Sequence, residues 1–197
     1  MSHVVMPSEG SRQMMVSFRK ESDRHYSITI VKKDGSRLRM AGAPGYSQWL
    51  PHDLQHLIVE KALRLKSGVF GQVEAGGTAG TFHEIGTDGS KRERSRRRRA
   101  LRKKSRSLAS AGQSDSERSE RATIVCLYHW MKDSERRELR AEAGRIRDVA
   151  LSTLEGMTSP ERDAYTEEAL DEIVREMERL SALWQRTRVG ESLDVTW

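Results

Sequence analysis

Residues 26–40, YSITIVKKDGSRLRM, alternate apolar and polar side chains on both sides of the pair Asp34-Gly35. Successive side chains of a strand point to opposite faces, so this period-two pattern predicts two half-buried strands. Tyr26, Ile28 and Ile30 share a face in the first, and Leu38 and Met40 in the second. Asp-Gly between two such runs predicts a two-residue hairpin turn, because glycine takes a positive φ without steric cost. Upstream, RQMMVSFRK repeats the alternation with Met14, Val16 and Phe18, which makes the unit a three-stranded antiparallel meander. Far downstream, Leu193, Val195 and Trp197 alternate in ESLDVTW, the pattern of a strand that rejoins the meander. The segments between carry helical spacing. The expected fold class is therefore α+β: an antiparallel sheet of about four strands packed by helices, with a disordered basic insertion.

Four regions are expected along the 197 residues. Residues 1–11 read as a loose leader, and 12–85 as the meander, a helix containing HDLQH, and a glycine-rich turn. Residues 86–116 read as a disordered Arg/Lys/Ser-rich linker, and 117–197 as a helical part ending in the returning strand. The HDLQH helix starts with Pro51 in its first turn and runs to about Lys66, stopped by Ser67-Gly68. GVFGQVEAGGTAGTF (68–82) predicts a short strand or tight turns and then a flexible loop. ERSERATIVCLYHWMK (117–132) is a helix, a second runs from Asp133 to about Leu154, and Ser159 caps a third. That third helix carries Tyr165, Leu170, Ile173, Met177, Leu180 and Trp184 at helical spacing, and a length of about 26 residues would span roughly 40 Å.

Composition bounds the function. A hydrophobic fraction of 36% against 32% charged implies a modest core. No apolar run approaches the roughly 20 residues of a membrane span, so no membrane partner is expected. The opening residues MSHVVMPSEG have no basic start followed by an apolar stretch, so no secretion signal is expected. Cys126 is the single cysteine, which excludes an internal disulfide framework and suits a reducing cytoplasm. It sits in TIVCLYHW, where a thiol packs as a small apolar group. The chain has no CxxC pair and no GxSxG elbow, and GGTAG lacks the Gly-Lys-Ser/Thr ending of a P-loop. The charge is uneven. Residues 91–106, KRERSRRRRALRKKSR, hold 11 basic residues and one acid, Glu93, a local charge of +10 in a chain of +6. The rest of the chain is thus net negative.

The segment LPHDLQHLIVE (50–60) places His52 and His56 four apart, about 40° from each other on a helix and one turn along it. Both imidazoles can therefore meet one ion. Leu54, Ile58, Val59, Ala62, Leu63 and Leu65 form the apolar arc, and the histidines stand at its border. Written as a pattern this is H-D-x-x-H, which resembles the H-E-x-x-H helix of zinc metallohydrolases. By that resemblance His52 and His56 are metal ligands and Asp53 is the general base. Asp is one methylene shorter than Glu, which puts its reach in question. Glu60, one further turn along, is the candidate third ligand, and His83, Glu84 and His129 are alternatives from elsewhere. A plainer reading stays open beside it. Asp53 in a first turn answers the helix dipole, and His56–Glu60 and Glu60–Arg64 are ordinary i,i+4 pairs.

LPHDLQHLIVE followed by GVFGQVEAGG also resembles small, functionally uncharacterised bacterial proteins with an LPHDLxHxxVE…GxxG stretch. The resemblance covers residues 50–77 and implies that helix and glycine turn form one unit. It assigns no reaction. Together these features describe a cytoplasmic protein with a divalent-metal site, zinc among the candidates, on the HDLQH helix, and a metal-dependent hydrolase as its sharper form. The alternative is a non-enzymatic binding module that contacts nucleic acid or an acidic protein through 91–106. There Arg96, Arg97, Arg98, Arg99, Arg102, Lys103 and Lys104 would neutralise phosphates. Aromatic residues are missing from 83–127, so base stacking is not expected from that segment. Oligomeric state has no signature.

Overall fold

The computed structural model describes residues 13–86 and 89–197, with Ser114 described by its backbone only. The expected leader, 1–11, lies outside the described residues. The elements are β1 (Met15–Ser22), β2 (His25–Val31), β3 (Arg37–Ala43), α1 (His52–Ala62), α2 (Val69–Glu74) and β4 (His83–Ile85), then α3 (Lys91–Ala111), α4 (Gln113–Lys132), α5 (Arg137–Gly156), α6 (Ser159–Asp163), α7 (Glu167–Arg186) and β5 (Ser192–Thr196). All five strands join one antiparallel sheet in the order β4-β3-β2-β1-β5. The fold is α+β, as the alternation predicts.

One face of the sheet is dry. Met14, Val16, Phe18, Tyr26, Ile28, Ile30 and Leu38 are almost wholly buried, and their strand neighbours, buried Ser27 apart, point to solvent or sit half-covered. Each such side chain contributes about 1.5–3 kcal/mol by leaving water. The terminal strand returns as expected: β5 pairs with β1, Val195 opposite Val16 and Leu193 opposite Phe18. The β2–β3 turn lies where Asp34-Gly35 places it, but as a longer loop. Lys32 N–H donates to Ser36 O, Gly35 takes a φ of 79°, and Asp34 accepts from the Ser36 amide and hydroxyl.

Helix α1 is the centre of the molecule. All eight residues from Asp53 to Glu60 are buried, because α4 and α7 flank the helix and its side chains share one core with the sheet. Trp184 of α7 is fully buried and packs edge-on against Tyr26 at 6.1 Å, while its indole N–H donates to Ser47 O. Lys20 closes the same corner, donating to Trp184 O and lying 4.5 Å over the indole.

Several elements depart from the sequence reading. α1 ends at Ala62 rather than near Lys66, because Arg64 turns left-handed (φ 54°) and Leu65 N–H reaches back to Glu60 O. Residues 69–74, expected as a strand or turns, form helix α2, since Gly68 brings their first amides onto a buried carboxylate described below. The single helix expected from Ser159 is two. Thr158, not Ser159, caps α6, and Thr166 caps α7 anew by accepting from Ala169 N–H. Most consequentially, 91–111 is helical, not a disordered linker. Ser90 and Glu93 form a reciprocal capping box, and no glycine or proline interrupts the run to Gly112. Among the described residues no helix is long and apolar enough to cross a membrane.

Candidate metal centre

A polar residue on a helix buried all round must find partners or destabilise the fold, at about 1–3 kcal/mol for each unsatisfied group. The polar side chains of LPHDLQHLIVE all find them. Gln55 Nε2 donates to Leu50 O at 2.8 Å. Asp53 accepts a short bond, 2.5 Å, from the Tyr26 hydroxyl of β2, which pins α1 to the sheet. Burial raises the Asp53 carboxyl above its ordinary range, opposed by that hydroxyl. Burial, and then the facing carboxylate, raise the Tyr26 phenol.

Glu60 is fully buried and accepts three hydrogen bonds. Val69 N–H (2.8 Å) and Phe70 N–H (3.0 Å) come from the first turn of α2, and the Ser119 hydroxyl (2.8 Å) from α4. Burial raises its pKa while all three donors oppose the shift. Gly68 permits the approach: a Cβ there would lie 2.2 Å from the Glu60 carboxyl carbon. Helix and glycine turn are thus one unit, joined through Glu60.

His56 is buried, and its Nδ1 lies 2.8 Å from Ser119 Oγ and 3.3 Å from Thr123 Oγ1. Ser119 has one hydroxyl hydrogen, and the Glu60 carboxylate, which only accepts, takes it. The Ser119 oxygen is left as an acceptor, so His56 donates from Nδ1–H. In the neutral ring the lone pair is then on Nε2. That atom faces outward to His52 Nε2 at 3.3 Å and Glu120 Oε2 at 3.5 Å. One ligand atom from each of the three residues lies within 4.8 Å of the others.

These spacings suit a cation. Bonds of about 2.0–2.1 Å in a tetrahedral zinc site place neighbouring ligand atoms about 3.3 Å apart. The chain Glu60–Ser119–His56 is the hydrogen-bonded support that fixes a ligating imidazole's tautomer and orientation. Burial and the neighbouring His56 both lower the His52 pKa, which favours a neutral, ligating ring. For His56, burial acts downward but is outweighed by Glu120, Glu60 and Asp53, so its pKa is raised. Glu120 is held below the ordinary carboxylate range by its pairing with His56 when that ring is protonated. Gly45, at a φ of 69°, lets the preceding loop pass over His52, where a Cβ would stand 2.6 Å from that of the histidine.

The structure therefore unites two of the expected ligands, His52 and His56, and replaces the third. Glu60 is turned away into the α1–α2 junction, because two backbone amides and a hydroxyl claim both its oxygens. Asp53 faces Tyr26. His83 is exposed on β4 opposite Arg39, Glu84 lies beside it, and His129 lies nine residues beyond Glu120 on α4. None of these joins the group. The residue the sequence did not offer is Glu120, which reaches His56 only because α4 packs along α1. Comparison with protein-family models, with curated proteins and with solved structures finds no match, so the site has to be read from its own geometry.

Proposed function

We propose that this protein binds a divalent cation through His52, His56 and Glu120. The observation that carries the reading is the placement of His52 Nε2 and Glu120 Oε2 at 3.3 and 3.5 Å from the outward-facing Nε2 of His56. Two imidazoles and a carboxylate form a borderline nitrogen–oxygen set suited to zinc and its late first-row neighbours. His52 and Glu120 are exposed, so the remaining coordination positions face solvent, the arrangement of an open rather than a closed structural site. A cation bound there would supply Lewis acidity. This chain's own contribution is to hold His56 in place through Ser119 and Glu60 and to present the two exposed ligands at its rim.

The test is titration of tag-free protein with zinc and with cobalt, followed by calorimetry and by the cobalt absorption spectrum. His52→Ala, His56→Ala and Glu120→Ala should each weaken binding at least tenfold, while His83→Ala leaves it unchanged. Protein that takes up neither cation at neutral pH overturns the proposal, as does a Glu120→Ala variant that binds like the parent. The sharper reading, metal-dependent hydrolysis, expects turnover of an ester, amide or phosphoester that a chelator abolishes and the cation restores. Metal-loaded protein inert to all three classes would reduce the function to binding.

A further inference from the structure

Helix α3 is attached to the body along one side only. Its buried residue is Ser105, whose Oγ accepts from Thr78 N–H at 3.0 Å. Leu108 and Lys104 lie over Gly77 and Gly76, close enough that a Cβ on either glycine would meet their side chains at 2.9 and 2.5 Å. Arg97 lines a cleft with Ser36, Glu84 and Gly86 at the β3–β4 edge. At about 100° per residue these anchors occupy one side of the helix.

The opposite side carries a basic row. Arg92, Arg96, Arg99, Lys103 and Arg106 recur at alternating spacings of four and three, which stacks them in one exposed row about 21 Å long. Lys91 and Arg102 extend the row on one side, so the positive arc spans about 140°. No ion pair among the described residues involves any of them. The one acid of the segment, Glu93, is engaged in the helix cap, accepting from Ser90 N–H. From Lys91 to Ala100 every residue is exposed.

We infer that α3 is a docking element for duplex DNA, laid along the major groove with its basic row toward the phosphates. An α-helix about 10–12 Å across fits a groove about 12 Å wide. The major groove of A-form RNA is too deep and narrow to admit it. The flanks of the arc reach phosphates on the two strands, and those contacts read charge, not sequence. Single strands are held by stacking on aromatic side chains, and residues 83–127 have none. The inference is independent of the metal site.

The experiment is a fluorescence-anisotropy titration of the full chain against a labelled duplex of about 20 bp, two helical turns, over a range of salt. Two variants remove the same four charges. One takes the row, Arg92→Gln/Arg96→Gln/Arg99→Gln/Lys103→Gln. The other takes positions off the row, Arg94→Gln/Arg97→Gln/Arg98→Gln/Lys104→Gln. The row variant should flatten the log–log salt slope by about 3–4 and weaken binding more than 100-fold. The off-row variant should lose less than about one unit of slope. Circular dichroism confirms that both remain folded. Equal losses in the two variants would overturn the inference, because charge alone would then explain binding. So would equal affinity for single-stranded DNA or duplex RNA, or no binding to the duplex at low salt.

Discussion

Helices α1 and α3 are both rich in polar residues, and they use them in opposite ways. In α1 the polar side chains from Asp53 to Glu60 are buried and each has a named partner; in α3 the charges are exposed and the outward row has none. The first arrangement ties structure to the site, since the bonds that satisfy Glu60 also orient His56. The second separates the two, because the row on α3 can change while the core stays as it is. A polar residue's consequence for stability is thus set by what else could satisfy its partners, not by its charge.

Mutations can break or sharpen this contrast. The largest effect is expected from Glu60→Ala, which leaves two backbone amides and the Ser119 hydroxyl without their acceptor. At about 1–3 kcal/mol for each buried unsatisfied group, urea denaturation should show a loss of about 3 kcal/mol or more. A loss under about 0.5 kcal/mol, typical of a surface change, would mean that the α1–α2 junction is not the keystone described.

A smaller effect is expected at the ion pair that fastens α4. Arg121, next to Glu120, donates to Glu161 of α6, and this bond, with the Thr158 amide, holds the Glu161 carboxyl down at about 2. A carboxyl with a depressed folded-state pKa contributes stability above its unfolded value of about 4.5 and loses it as pH falls toward about 2. Arg121→Met should therefore cost about 1 kcal/mol at neutral pH, with solvent screening allowed for. The gap between variant and parent should close over that acid window. A gap that persists at pH 2 would assign the loss to packing instead.

The smallest effect is expected from α3. Replacing its outward row by glutamine, the four substitutions described above, should change stability by no more than about 0.5 kcal/mol. Thermal denaturation tests it, and relief of like-charge repulsion favours a slight gain. A drop of several degrees would show that the row belongs to the fold.

The sheet was legible in the sequence because a strand with one wet face writes its burial directly as alternation, and Asp34-Gly35 marks a turn that few other pairs permit. β4 was not, since three residues are too few to show a period. The helicity of α3 was legible in principle: Ser90 and Glu93 have the spacing of a capping box, but the composition of 86–116 outweighed it. At the site, His52 and His56 were readable as neighbours on one helix. Glu120 was not. Nothing local distinguishes it from Glu117 or Glu135, and only the packing of α4 on α1 brings it to His56. Glu60 was misassigned for the same reason in reverse, as the helical wheel gave its position but not the amides of α2 that turn it inward.

The pairing of β5 with β1 also bears on the order in which the chain can fold. Met15 lies opposite Thr196 and Arg19 opposite Ser192, so this ladder closes a loop of nearly the whole described chain. The β1–β2–β3 hairpins need only local contacts and form cheaply, whereas the last ladder awaits the helices between. Until β5 docks, β1 is an open edge, with Met14, Val16 and Phe18 on a face not yet closed and a row of unpaired amides beside them. Such an edge recruits strands from other molecules. Conditions that slow the arrival of the final strand should divert the chain into aggregates before they measurably lower the stability of the finished fold.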